Sequence, residues 1–161
     1  MRGTAIMAAV FAAAFIALYV AHSVGDHWVQ SSCQAAEKGL PGWPGRLACA
    51  RHIFGLTVTK CAVLVPVVLL LRLPVTVLGL ALALAVDAGT HYWADRRTTL
   101  AWLARACGRA EFYSLGTPSH PTAPATATGT PAAHLGTGAY VLDQSWHHLW
   151  LGVAALIIAT V

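Results

Sequence analysis

Aspartate and histidine recur four residues apart in three places along this chain: His22 with Asp26, Asp87 with His91 and then Asp95, and Asp143 with His147. On a helix a step of four residues turns only about 40°, so each set makes one polar stripe, and Gln30 extends the first. Gln144 and His148 sit one residue around from the third. His52 and Lys60, two turns apart, also share a helix side. Neutral imidazole and ionised carboxylate together, with no cysteine beside them, suit Zn, Mn or Fe. The residue types therefore predict a divalent metal held by His22, Asp26, His91 and His147, with Asp143 or Asp87 as a further ligand or general base. Gln30, His52, Asp95, Gln144 and His148 are expected to orient those ligands from behind. Asp95 also has a plain alternative as an ion pair with Arg96 and Arg97, and Asp143 as an N-terminal helix-dipole partner.

The elements that must position these residues follow from composition. Of 161 residues 57% are hydrophobic and 10% charged, against roughly a quarter charged in soluble domains. That excludes a disordered chain, a nucleic-acid-binding basic domain and a disulfide scaffold, because the ten Lys and Arg form no dense run and the four cysteines show no paired spacing. Crossing a bilayer takes about 20 apolar residues as helix. Four runs reach that length, at about 4–23, 52–71, 75–94 and 140–161, with Pro74 breaking the second from the third. A cleaved signal peptide is the rival reading of the first run, but the stretch is long for one and the polar residues after it are patterned.

Residues 96–109 carry Leu100, Leu103, Ala104 and Cys107 at helical spacing with arginines on other faces, the pattern of an interfacial helix on an anionic leaflet. Residues 114–138 are Pro, Thr, Ala and Gly without apolar period, a flexible linker in which His120 and His134 are bystanders. Trp28, Trp93, Trp146 and Trp150 fall near span ends and read as an aromatic belt. The fold class expected is an all-α, integral membrane four-helix bundle forming a single domain.

Seven Lys and Arg fall in the two long connections (Lys38, Arg46, Arg51; Arg96, Arg97, Arg105, Arg109), and only Arg2 and Arg72 on the other side. The positive-inside rule then places both termini outside and both long loops in the cytoplasm of a bacterial inner membrane. With that topology every span delivers its polar stripe to the same leaflet, where four helices would enclose a cytoplasm-facing pocket. A carboxylate in hydrocarbon costs at least a few kcal/mol, so such residues turn inward and find partners.

The string His22-x-x-x-Asp26-His27-x-x-Gln30, with Lys38, His52, the third-span Asp/His set and Asp143-Gln144-x-x-His147, resembles a family of small bacterial and phage integral membrane proteins, a domain of unknown function. Its motifs are H-x-x-x-D-F-x-x-Q in the first helix and D-Q-x-x-H in the last. The resemblance spans most of the chain except the linker, with His27 standing where the family has an aromatic. It implies that His22, Asp26, Gln30, Asp143 and His147 act as a set and brings no activity with it.

Three functions are compatible with these features. The polar set can serve only helix packing, in a membrane protein of uncharacterised role. It can be the centre of an intramembrane metal-dependent hydrolase acting on a lipid-linked substrate. It can belong to an ion- or proton-coupled transport component, which with four helices would need a homo-oligomer. The lipid bilayer is the partner in every case.

Overall fold

A computed structural model describes residues 2–116 and 137–161. Among these the chain is helical: α1 (Arg2–Val24), α2 (Ser32–Glu37), α3 (Gly42–Leu70), α4 (Val77–Asp95), α5 (Thr98–Ala106), α6 (Ala110–Ser114) and α7 (Gly138–Thr160). Three helical stretches are long and apolar enough to cross a membrane: Gly3–Val29, Gly42–Leu70 and Val77–Asp95. α7 matches them in length, with 23 residues, but its first half carries Asp143, Gln144, His147 and His148, and it is not one of the three. Most of the expected linker, with His120 and His134, lies outside the described residues.

α1 packs on α3 and α7, and α7 on α4. Their shared core is Val10, Ala14, Leu18, Leu64, Ala83, Leu151, Ala154, Ala155 and Ile158. The alanines let the backbones approach closely, the usual device where apolar helices meet in apolar surroundings. Outward faces stay apolar: Phe54 is 72% exposed and Leu70 81%. A water-soluble chain does not leave such a girdle bare.

The helix ends differ from expectation in three informative ways. α1 does not run as α-helix to Gln30; Gly25–Val29 forms a π turn, closed where Gln30 N–H donates to the Gly25 carbonyl at 2.9 Å. A Cβ on Gly25 would strike the Leu56 side chain, so glycine is what lets α3 pass here. α3 begins about ten residues before the expected span, since Pro44 is tolerated in a first helical turn, and Arg46 and Arg51 therefore ride on the helix. Between them, Ser31 and Gln34 form a reciprocal capping box that starts α2.

α4 starts at Val77, where the Thr76 hydroxyl accepts from Gly79 N–H. The amphipathic segment forms as α5, burying Leu100 and Ala104 and leaving Trp102 outside. Trp93, Trp146 and Trp150 stack on one another between α4 and α7, with centroids 4.8 and 5.7 Å apart, and Trp146 Nε1 donates to the Thr90 carbonyl. Only Trp28 of the expected belt stands fully out, 86% exposed.

Candidate metal centre

All three i, i+4 pairs face inward and meet. His22 Nε2 lies 3.5 Å from Asp26 Oδ2, His91 Nε2 3.4 Å from Asp95 Oδ2, and His147 Nε2 3.4 Å from Asp143 Oδ1. Across helices, His52 Nε2 on α3 sits 3.1 Å from Asp26 Oδ1 and 3.3 Å from Asp95 Oδ2, and His91 Nε2 lies 3.7 Å from Asp26 Oδ1. The π turn carries Asp26 to this meeting point, which is where such turns tend to occur.

Asp26 Oδ1, His52 Nε2, His91 Nε2 and Asp95 Oδ2 are linked in a chain of contacts within and across helices. The four measured edges run from 3.1 to 3.7 Å. Donors held about 2.0–2.2 Å from a common ion in tetrahedral geometry stand about 3.3–3.6 Å from one another. The neighbours of these four atoms are one another: the contacts are imidazole–carboxylate approaches, and His147 Nε2 likewise has the Asp143 and Asp95 carboxylates beside it. Buried imidazoles and carboxylates gathered this closely could hold a cation. Three overlapping triplets have metal-holding geometry: His22, Asp26 and His91; His52, His91 and Asp95; Asp95, Asp143 and His147.

The structure distributes the expected roles differently from the sequence. His52 and Asp95, expected behind the ligands, stand in the innermost set. His22 is one step out, with Nε2 3.4 Å from Gln144 Oε1, and the Gln144 amide donates to Asp143 Oδ2 at 3.3 Å. Gln30 lines the cavity with its Nε2 unpartnered. His148 packs on Tyr19, ring centroids 4.8 Å apart, outside the convergent donors. Asp87 is also outside them, because Lys60 Nζ holds its Oδ2 at 2.5 Å. His27 reaches Tyr140 Oη at 3.2 Å.

Lys38 is the residue whose role the spacing did not reveal. Its Nζ lies 2.8 Å from Asp95 Oδ1, while Arg96 and Arg97, the neighbours expected to neutralise Asp95, donate instead to the carbonyls of Lys38, Leu40 and Ala35. These contacts fasten α2 to the end of α4. The lone signal in the sequence was a lysine following the first polar stripe.

Above the donors opens a cavity of about 720 Å³, whose walls include Asp26, Gln30, Lys38, Asp95, Arg97, Tyr113, Tyr140 and Asp143. Burial and then the Asp143 charge push the Tyr113 phenol above its ordinary value, so it remains a neutral O–H donor. A smaller groove of about 200 Å³, lined by Leu100, Leu103, Leu142, Trp146 and Leu149, shares Leu100 with the cavity. No family model, curated protein or solved structure matches the chain.

Proposed function

We propose that this chain is a multi-pass protein of a bacterial cytoplasmic membrane, with α7 as its fourth span, that holds a divalent metal at the convergent donors and hydrolyses a lipid-linked substrate at the cytoplasmic face. The observation that carries this reading is the convergence of buried imidazoles and carboxylates into three overlapping triplets whose ligand atoms lie within 4.8 Å of one another. Zn, Mn or Fe fits the nitrogen and oxygen donors.

A bound ion supplies a water of lowered pKa and polarises the bond to be cleaved. The chain's own groups account for the rest. Asp143, 25% exposed, faces the cavity, where its carboxylate can take the proton of an attacking water. Arg97 and the Tyr113 hydroxyl stand where an anionic headgroup would enter. The apolar groove continuing past Leu100 gives its hydrocarbon tail a place beside the amphipathic α5. A transport pathway would need polar groups through the far half of the bundle; there the described core is Val10, Ala14, Leu18, Leu64, Leu151 and Ile158.

Two measurements test the reading. Detergent-purified wild type should carry bound transition metal and an Asp26→Asn/His52→Ala variant should not; wild type that takes up no metal overturns it. In vesicles containing a phosphorylated lipid, Asp143→Asn should lose at least about 100-fold of the metal-dependent hydrolysis while keeping the ion at His52, His91 and Asp95, in line with the contribution of general-base groups. Unchanged turnover removes Asp143 from the reaction.

A further inference from the structure

The donors fall into more than one group. One uses Asp95 Oδ2 and the Nε2 atoms of His52 and His91. It leaves over Asp95 Oδ1, Asp143 Oδ1 and His147 Nε2, the last 3.4 Å from Asp143 and 4.0 Å from Asp95 Oδ1. These three residues form a metal-holding triplet of their own. The two sets share no atom and share one residue, Asp95, through opposite oxygens.

The rings repeat the pattern. His91 and His147 stack with centroids 3.8 Å apart and an interplanar angle of 17°, and both turn Nε2 toward Asp95, His91 to Oδ2 at 3.4 Å and His147 to Oδ1 at 4.0 Å. Ions in paired sites stand about 3.5–4 Å apart. Two parallel imidazoles at that spacing, each aimed at a different oxygen of one carboxylate, match such a pair. Resting on the metal reading above, we propose that the centre is binuclear, with Asp95 bridging a closed site made by His52, His91 and Asp95 and an open one made by Asp95, Asp143 and His147.

The two sites differ in access. The side chains of the closed site are at most 2% exposed, whereas Asp143 is 25% exposed; Asp95, common to both, borders the cavity together with Asp143. An accessible vacant position is what a reactive ion needs. Lys38 shares Asp95 Oδ1 with the open site, and a carboxylate oxygen has two lone pairs to offer. Charge also fits: Asp26, Asp95 and Asp143 bring three negative charges and Lys38 returns one, leaving a buried deficit that a single divalent ion neutralises and a second turns into a surplus suited to an anionic headgroup.

The test uses the full chain in detergent with Mn²⁺ as probe. Wild type should bind two equivalents, and its electron paramagnetic resonance spectrum at saturation should show an exchange-coupled pair. Asp143→Asn/His147→Gln should keep one equivalent, with the spectrum of an isolated ion. Saturation of wild type at one equivalent, without coupling, overturns the binuclear centre and leaves the metal reading standing. No binding at all overturns both. Because the coupling is read on wild type, a variant that fails to fold does not decide the question.

Discussion

Two groups of charged side chains are buried side by side on the same helices, and they are built on opposite principles. Lys60 on α3 and Asp87 on α4 form a closed pair, Nζ to Oδ2 at 2.5 Å, with Lys60 wholly buried. One helical turn further along α4, His91 and then Asp95 join a group of carboxylates and imidazoles held against one another and against Lys38. The pair is neutral and satisfied. The cluster is acidic in sum. An uncompensated buried charge is costly, so the second group, unlike the first, has room for something positive. Burial of charge alone therefore does not identify a site; an excess of one sign among groups that could hold a cation does.

The contrast can be broken most forcefully at the pair. Lys60→Met strands the Asp87 carboxylate and should cost about 3–5 kcal/mol in unfolding free energy, whereas Lys60→Met/Asp87→Leu should restore most of it, as buried ion pairs often can be replaced by apolar side chains of similar volume. Denaturant titration in detergent reads both; a double variant as unstable as the single one would mean that the pair does more than neutralise itself.

Acidification should separate the two groups next. Histidine ligates as neutral imidazole, so protons compete with the metal, and taking the protein from about pH 7 to about pH 5 should release metal and lower thermal stability. In metal-stripped protein the same change should shift stability less. Equal sensitivity with and without metal would argue that protonation acts on the fold and not on binding.

The smallest effect is expected outside both groups. Cys33 on α2 is exposed, and its hydrogen bond to the Glu37 carboxylate, with the attendant charge, raises its thiol above the ordinary value. Glu37→Gln removes the cause, lowers the pKa and leaves more thiolate at a fixed pH near about 8, so alkylation of Cys33 should speed up by roughly a few-fold. Metal content should not change; if it does, α2 is coupled to the donors more tightly than its surface position suggests.

The stripes were largely legible in the sequence because helical periodicity is local: His22 with Asp26, His91 with Asp95 and Asp143 with His147 are in contact in the structure, whereas Asp87, read in the same stripe as His91, pairs with Lys60 instead. What periodicity does not carry is how helices rotate about their axes when packed. His52 stands alone on α3, and only the passage of α3 over Gly25 brings it onto Asp26. Asp95 looked neutralised by its chain neighbours, yet Arg96 and Arg97 turn to backbone carbonyls and a lysine nearly sixty residues earlier takes the carboxylate. Apolar runs located the three helices long and apolar enough to cross a membrane; the start of α3 was misplaced because the glycines and prolines at 41–45 resemble a loop while being compatible with a first helical turn. The fourth run yields a helix of the expected length whose polar first half sets it apart from the other three.

The fastening of α2 has a mechanical consequence. Lys38, Arg96 and Arg97 stitch one wall of the cavity to the C-terminal end of α4 at four points, so that wall and the donors Asp95 and His91 form one rigid piece. The facing wall, where α6 meets the start of α7, shows the backbone bond from Gly138 N–H to the Leu115 carbonyl. The chain between α5 and α6 turns at Gly108, whose φ of +67° suits glycine, so the bend that sets α6 against α7 depends on that residue.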